Sequence, residues 1–158
     1  MEPILWIAGD VVGNDYSYQE YLERMIKELG LEKNVYLLGW RNDVPAIMKK
    51  ADVVILPTHE EGFGHVILEA MLLKVPVIAT AIGGIKDSIE NNINGILIEV
   101  DDYKALADGI NKVVSEPLFA KKLVENAYQT VTERFNPENH TKLFMEAVGK
   151  AIKIKKNI

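Results

Sequence analysis

Glu61 and Glu69 are separated by seven residues, Gly62-Phe63-Gly64-His65-Val66-Ile67-Leu68. A fixed carboxylate accepts two hydrogen bonds at once, which suits the paired hydroxyls of a sugar. The two glycines let a backbone come close to a ligand. A helix that starts in this stretch turns unpaired N–H groups and its positive dipole end toward a phosphate. Each residue also has a plainer reading. Glu69 could be a solvated helix residue, Glu61 a loop carboxylate that caps the helix, Phe63 a packing residue and His65 surface. Glu60 is the neighbouring candidate for the first position, but only Glu61 adjoins Gly62 and keeps the spacing to Glu69.

The elements around this stretch place it. Val53-Val54-Ile55-Leu56 reads as a buried strand and Val66 to Leu73 as the helix that follows. Ligands of open α/β sheets bind at such carboxyl ends of strands. Further strands are expected at Ile4 to Ala8, Asn34 to Gly39, Pro76 to Ala79 and Ile96 to Ile98. Ser17-Tyr18-Gln19-Glu20 has capping-box form ahead of a helix bearing Tyr21, Leu22, Met25, Ile26 and Leu29, which Gly30 ends. Short helices are expected over Val44 to Lys50 and Ile85 to Glu90. A longer one is expected over Tyr103 to Ser115, with Leu106, Ile110, Val113 and Val114 as its apolar face. Pro117 starts another, running to Arg134, and Asn136-Pro137 starts a last helix reaching about Ile154. Strand–helix alternation implies a parallel sheet with helices on both faces. The fold class is therefore α/β, and residues 1–158 are expected to form a single domain.

The segment Glu61-Gly62-Phe63-Gly64 through Glu69-Ala70-Met71 resembles the donor-site signature of the family 4 (group 1) retaining glycosyltransferases of the GT-B fold, E-G-F-G-x-x-x-x-E-A-M. Gly83-Gly84-Ile85 is similar to that family's glycine pair, and Asn94-Gly95-Ile96-Leu97-Ile98 to its entry into a later strand. The resemblance implies a Rossmann-like parallel sheet, the C-terminal, nucleotide-sugar-binding half of such an enzyme. It implies hexosyl transfer from a nucleotide-diphospho-sugar with retention. In that reading Glu61 is the catalytic carboxylate, facing the transferred sugar, where its charge stabilises an oxocarbenium-like ion pair. Glu69 holds the ribose hydroxyls. Gly62, Phe63, Gly64, His65 and Val66 line the diphosphate and sugar, and Trp40 and Arg41 belong to the loop that holds the base. Trp40 has two readings, stacking on a base or covering the sheet edge, and Asp43 has a plain one, capping the helix at Val44.

Some positions depart from the family. Gly9-Asp10 is followed by Val11 and Val12 where the family has glycine and proline. Asp87 stands where glutamate is common and Lys86 where proline is. The family's domain also opens with one more strand and helix, which carry an arginine and a lysine for the phosphates. The chain starts at what looks like the next strand, so it is read as lacking that first strand and helix, and an acceptor-binding domain or chain is the expected partner. Weak or no transfer is expected of these residues alone. The alternative is a non-catalytic interaction or oligomerisation module that keeps the fold and pairs through an exposed sheet edge, as a homodimer for example. An epimerase of the same fold would carry different motifs. A dinucleotide oxidoreductase would show G-x-G-x-x-G after its first strand, and none is there.

The bulk numbers narrow the rest. At 158 residues and 48% hydrophobic content the chain is long enough for a buried core. A net charge of −5, with basic residues scattered except at Lys153, Lys155 and Lys156, argues against nucleic acid. There is no cysteine, hence no disulfide and no thiolate metal site. His59 and His140 fit no metal spacing, so neither a metal nor another cofactor is expected. No apolar run approaches the ~18 residues of a membrane span. Met1-Glu2-Pro3 has no signal-peptide character, so a cytoplasmic location is the default expectation.

Overall fold

Near-continuous apolar runs form short parallel strands. The structure is a computed structural model and describes residues 2–11, 13, 15–136, 138, 141 and 144–148. The expected last helix, from Asn136-Pro137 onward, and the lysine-rich end lie largely or wholly outside the described residues. Two compact units divide the chain, residues 1–44 and 45–158.

In the first unit, β1 (Leu5–Ala8) pairs in parallel with β2 (Val35–Gly39), and α1 (Ser17–Glu28) connects them. The pairing runs Leu5 with Val35 to Ile7 with Leu37, then shifts so that Ala8 meets Gly39. The capping box does not form. Ser17 is already helical, Tyr16 takes the N-cap position without a side-chain bond, and the carboxylate of Asp15 accepts from the Ser17 N–H at 3.0 Å. Asp15, two residues earlier, takes the Ser17 N–H that the Glu20 carboxylate would accept in a capping box. Gly30 adopts φ 66°, the left-handed conformation that closes a helix. None of the described residues of this unit is buried, and the expected apolar face of α1 is only partly covered at Leu22, Met25 and Ile26, with Tyr21 and Leu29 exposed.

The second unit carries the core. α2 (Val44–Met48) begins at the boundary and is followed by β3 (Val54–Leu56), α3 (His65–Leu72), β4 (Val77–Thr80), α4 (Ile85–Ser88), β5 (Ile96–Ile98), α5 (Tyr103–Ser115) and α6 (Pro117–Arg134). The sheet order is β3-β4-β5, parallel throughout, with Val54 opposite Val77 and Ile78 opposite Ile96. β4 is central and all four of its residues are buried. Successive side chains of a strand point to opposite faces. Ile78 joins Ile96, Ile98, Val113 and Leu123 in the core, with Leu106 and Ile110 of α5 packed against it. Each such fully buried aliphatic side chain contributes ~1.5–3 kcal/mol.

α5 and α6 have the expected bounds because their first residues are decisive. The Asp102 carboxylate accepts from the Ala105 N–H at 2.8 Å, and Pro117 occupies the first turn of α6. Val114, expected on the apolar face of α5, is 60% exposed. Gly109 takes the packing position instead: a Cβ there would lie 3.2 Å from the Cδ1 of Ile78, so α5 comes close to the sheet.

Candidate functional site

The loop from Pro57 to Gly64 leaves the carboxyl end of β3 and is fastened at several points. Thr80, the last residue of β4 and only 2% exposed, donates its hydroxyl to the carbonyl of Thr58 at 2.7 Å. The Thr58 hydroxyl donates in turn to the carbonyl of Glu60 at 2.7 Å. The ring of His59 is hydrogen-bonded through Nε2 to the carboxylate of Asp101, 2.7 Å away, which ties the loop to the turn after β5. The Gly84 N–H donates to the carbonyl of Gly62 at 3.0 Å.

Gly64 ends the loop at φ 76°, a left-handed conformation that other residues adopt only with strain, and becomes the N-cap of α3. No side chain caps this helix in the usual way. The Glu61 carboxylate, which precedes the cap, turns back on its own loop and accepts from the Phe63 N–H at 3.2 Å. Bonds from the Gly64 N–H, then from that of Phe63, hold its pKa below the ordinary glutamate value. The carboxylate is therefore ionised at neutral pH and stands in front of the amides that open α3.

α3 buries Ile67, Leu68, Ala70 and Met71. With 3.6 residues per turn, that leaves His65, Glu69 and Leu72 on the opposite, exposed stripe. Glu69 sits four residues after His65, about 6 Å further along the axis at 1.5 Å per residue. Its carboxylate has no hydrogen-bond partner among the described residues. Val66 is half-buried. The Phe63 ring packs edge-on against Phe135 at 5.8 Å and lies 5.1 Å from the His65 ring, so much of its surface serves packing.

The structure thus brings Glu61, Gly62, Phe63, Gly64, His65, Val66 and Glu69 into one loop and one helix face. Trp40 and Arg41 belong to the first unit, in the turn after β2. Trp40 is 71% exposed. The Arg41 guanidinium is held by the Asp43 carboxylate through two bonds of 2.8 and 2.7 Å, and this pairing raises its pKa. Among the described residues no three of His, Cys, Asp or Glu are grouped to hold a metal ion. Sequence reasoning missed Thr80 and the His59–Asp101 bond. Their only sequence signal is position: Thr80 ends its strand, and His59 and Asp101 each lie three residues past one.

The site is thus a strand–loop–helix on a parallel sheet, with one carboxylate in the loop and one on the helix. The family profile described as glycosyl transferases group 1 matches residues 2–130, and the chain belongs to that family. An uncharacterized glycosyltransferase of Methanocaldococcus jannaschii is 33% identical over 134 residues, 84% of this chain and 34% of the relative. The crystal structure of HepE of Anabaena in complex with UDP-glucose superposes with a TM-score of 0.86 at 31% identity, over 93% of this chain and 41% of that one. The C-terminal domain of LpcC, a group 1 protein of Francisella tularensis, superposes with a TM-score of 0.77 at 30% identity, over 85% of this chain and 70% of that one. The fold is accordingly the Rossmann-like C-terminal half of a GT-B glycosyltransferase. The chain spans about a third of the length of the curated relatives it matches. No helix among the described residues is long and apolar enough to cross a membrane.

Proposed function

We propose that this chain is the donor-binding half of a retaining glycosyltransferase and takes a nucleotide-diphospho-sugar at the Glu61–Glu69 loop. One observation carries the reading: the Glu69 carboxylate, exposed and without a partner among the described residues, shares a face of α3 with His65, one turn further from the amides that open the helix. Glu69 accepts from the ribose hydroxyls, and the amides at the start of α3 meet the diphosphate. Glu61, kept ionised by its own loop, lies beside the sugar, where its negative charge stabilises the oxocarbenium-like state as the phosphate departs. Its loop bonds do not oppose this role, because a carboxylate has acceptor capacity beyond the two amides. The homologous HepE complex supports trying UDP-glucose first. Hexosyl transfer needs an acceptor-binding domain or chain, so these residues alone turn over weakly or not at all.

Calorimetric titration with UDP-, GDP- and ADP-sugars tests the reading. Saturable binding of one of them, weakened by Glu69→Ala, supports it, and silence for all of them overturns it.

A second reading, a non-catalytic interaction or oligomerisation module, draws on the first unit. Among the described residues its sheet has two strands and none of the unit's residues is buried, and Ile4, Leu5 and Trp6 are exposed. Such an edge can pair with another chain. A concentration-dependent dimer in sedimentation, together with silence toward every donor, favours this alternative.

A further inference from the structure

Glycines earn their place in two different ways in this chain. Gly9, Gly30 and Gly39 have positive φ, and a Cβ on any of them would meet no described atom within 4 Å. They serve the backbone turn alone. Gly84 is the reverse case. Its φ of −71° is ordinary helical backbone that any residue adopts. What it lacks is room: a Cβ would stand 2.8 Å from the carbonyl oxygen of Gly62, 3.1 Å from the Cα of Phe63 and 3.2 Å from its ring. Gly83 combines both demands, with φ 46° and a Cβ position that overlaps the carbonyl oxygen of Glu61. The next residue, Ile85, is fully buried, and its Cγ1 lies 3.1 Å from where a Cβ on Gly64 would be. Three consecutive residues at the start of α4 therefore press on four consecutive residues of the Glu61 loop. The Gly84 N–H to Gly62 carbonyl bond, 3.0 Å long, pins the contact at its centre.

We propose that Gly83 and Gly84 are positioning residues: by lacking side chains they let α4 lie directly against the backbone of Glu61, Gly62 and Phe63, and so set where the Glu61 carboxylate and the first amides of α3 stand. The consequence for ligand affinity rests on the donor-site reading. The contact itself does not.

Backbone contact is a stiffer restraint than a side chain, because it has no rotamers to relax into. A methyl group at Gly84 has to push the loop outward. It moves the Gly62, Phe63 and Gly64 amides together and shifts the Glu61 carboxylate that accepts from them. Gly84→Ala isolates this steric effect, since alanine fits the backbone conformation. Gly83→Ala adds backbone strain to it.

The test uses the 158-residue chain with Gly84→Ala, and Gly109→Ala as a packing control on the far side of the core. Without ligand, the Gly84→Ala change is expected to move the amide resonances of Gly62, Phe63 and Gly64 while those of Val77 to Ala79 stay in place. With UDP-glucose, affinity is expected to fall about tenfold, the scale of one lost hydrogen bond to a charged group. That loss should largely vanish in a Glu61→Gln background, because both changes act on one loop. Gly109→Ala should leave both the loop amides and the UDP-glucose affinity unchanged, whatever it does to stability. Unmoved loop amides, or an equal affinity loss in Gly109→Ala, overturn the proposal. If the unsubstituted chain binds no nucleotide-sugar, the donor reading fails and the loop amides alone decide the positioning role. If Gly84→Ala does not fold, hydrogen exchange in the unsubstituted chain decides: a protected Gly84 amide supports the contact, and an unprotected one overturns it.

Discussion

The hydroxyl of Thr80 donates to the carbonyl of Thr58 at 2.7 Å, and this bond joins the end of the central strand to the loop that carries Glu61. Thr80 is buried, and Thr58, whose carbonyl accepts the bond, is half-buried. Thr80→Val keeps the side-chain shape and removes the donor. It is expected to cost roughly 0.5–1.5 kcal/mol, the net worth of a typical hydrogen bond. Chemical denaturation reads this as a lower midpoint with an unchanged slope.

Glu69→Ala leaves the fold intact, because the side chain is exposed and bonded to no described residue. Under the donor reading it removes a charged acceptor from the ribose. Affinity for the bound nucleotide-sugar is expected to drop roughly 10- to 100-fold, the equivalent of ~1.5–3 kcal/mol. Calorimetry on the variant measures it. Unchanged affinity would take Glu69 out of the site.

The Glu61 carboxylate has a depressed pKa because the amides of Gly64 and Phe63 bond to its charged form. A group depressed in the folded state contributes stability above its unfolded value and loses it as pH falls through the folded one. The loop is therefore expected to stay ordered through neutral and mildly acid solution. It should loosen only below the ordinary glutamate range. The Phe63 amide resonance should titrate with that low midpoint and become flat in Glu61→Gln. A midpoint at or above the ordinary glutamate value would contradict the bonding seen here.

Asn94 is 3% exposed and uses its whole amide. Its oxygen accepts from the Glu90 N–H at 2.7 Å, and its nitrogen donates to the Ser88 carbonyl at 3.2 Å and the Thr130 hydroxyl at 3.1 Å. Asn94→Ala is expected to lower stability by roughly 1–3 kcal/mol through these stranded partners. Differential denaturation against the unsubstituted chain checks it.

How much of this was legible in the residues depends on the range of the forces involved. α5 and α6 could be bounded from the sequence because Asp102 and Pro117 act within their own first turns. The loop around Glu61 could be placed because its glycines and carboxylates are close together in the chain. The capping box at Ser17 was misread because Asp15, two residues earlier, offers the Ser17 N–H a better acceptor. Val114 was misread because Gly109 brings α5 in on a different stripe. The bonds from Thr80 to Thr58 and from His59 to Asp101 span 22 and 42 positions, and no local pattern announces them. The value of Gly84 was hidden for another reason. A residue that matters by leaving space carries no periodicity and no charge.

The absence of any fully covered side chain among the described residues of 2–44 has a kinetic side. Segments that shield little apolar surface open at low free-energy cost. Deuterium should enter the amides of Leu5 to Ala8 and Val35 to Gly39 long before those of Val77 to Thr80, and a protease at low dose should clip the early segment first.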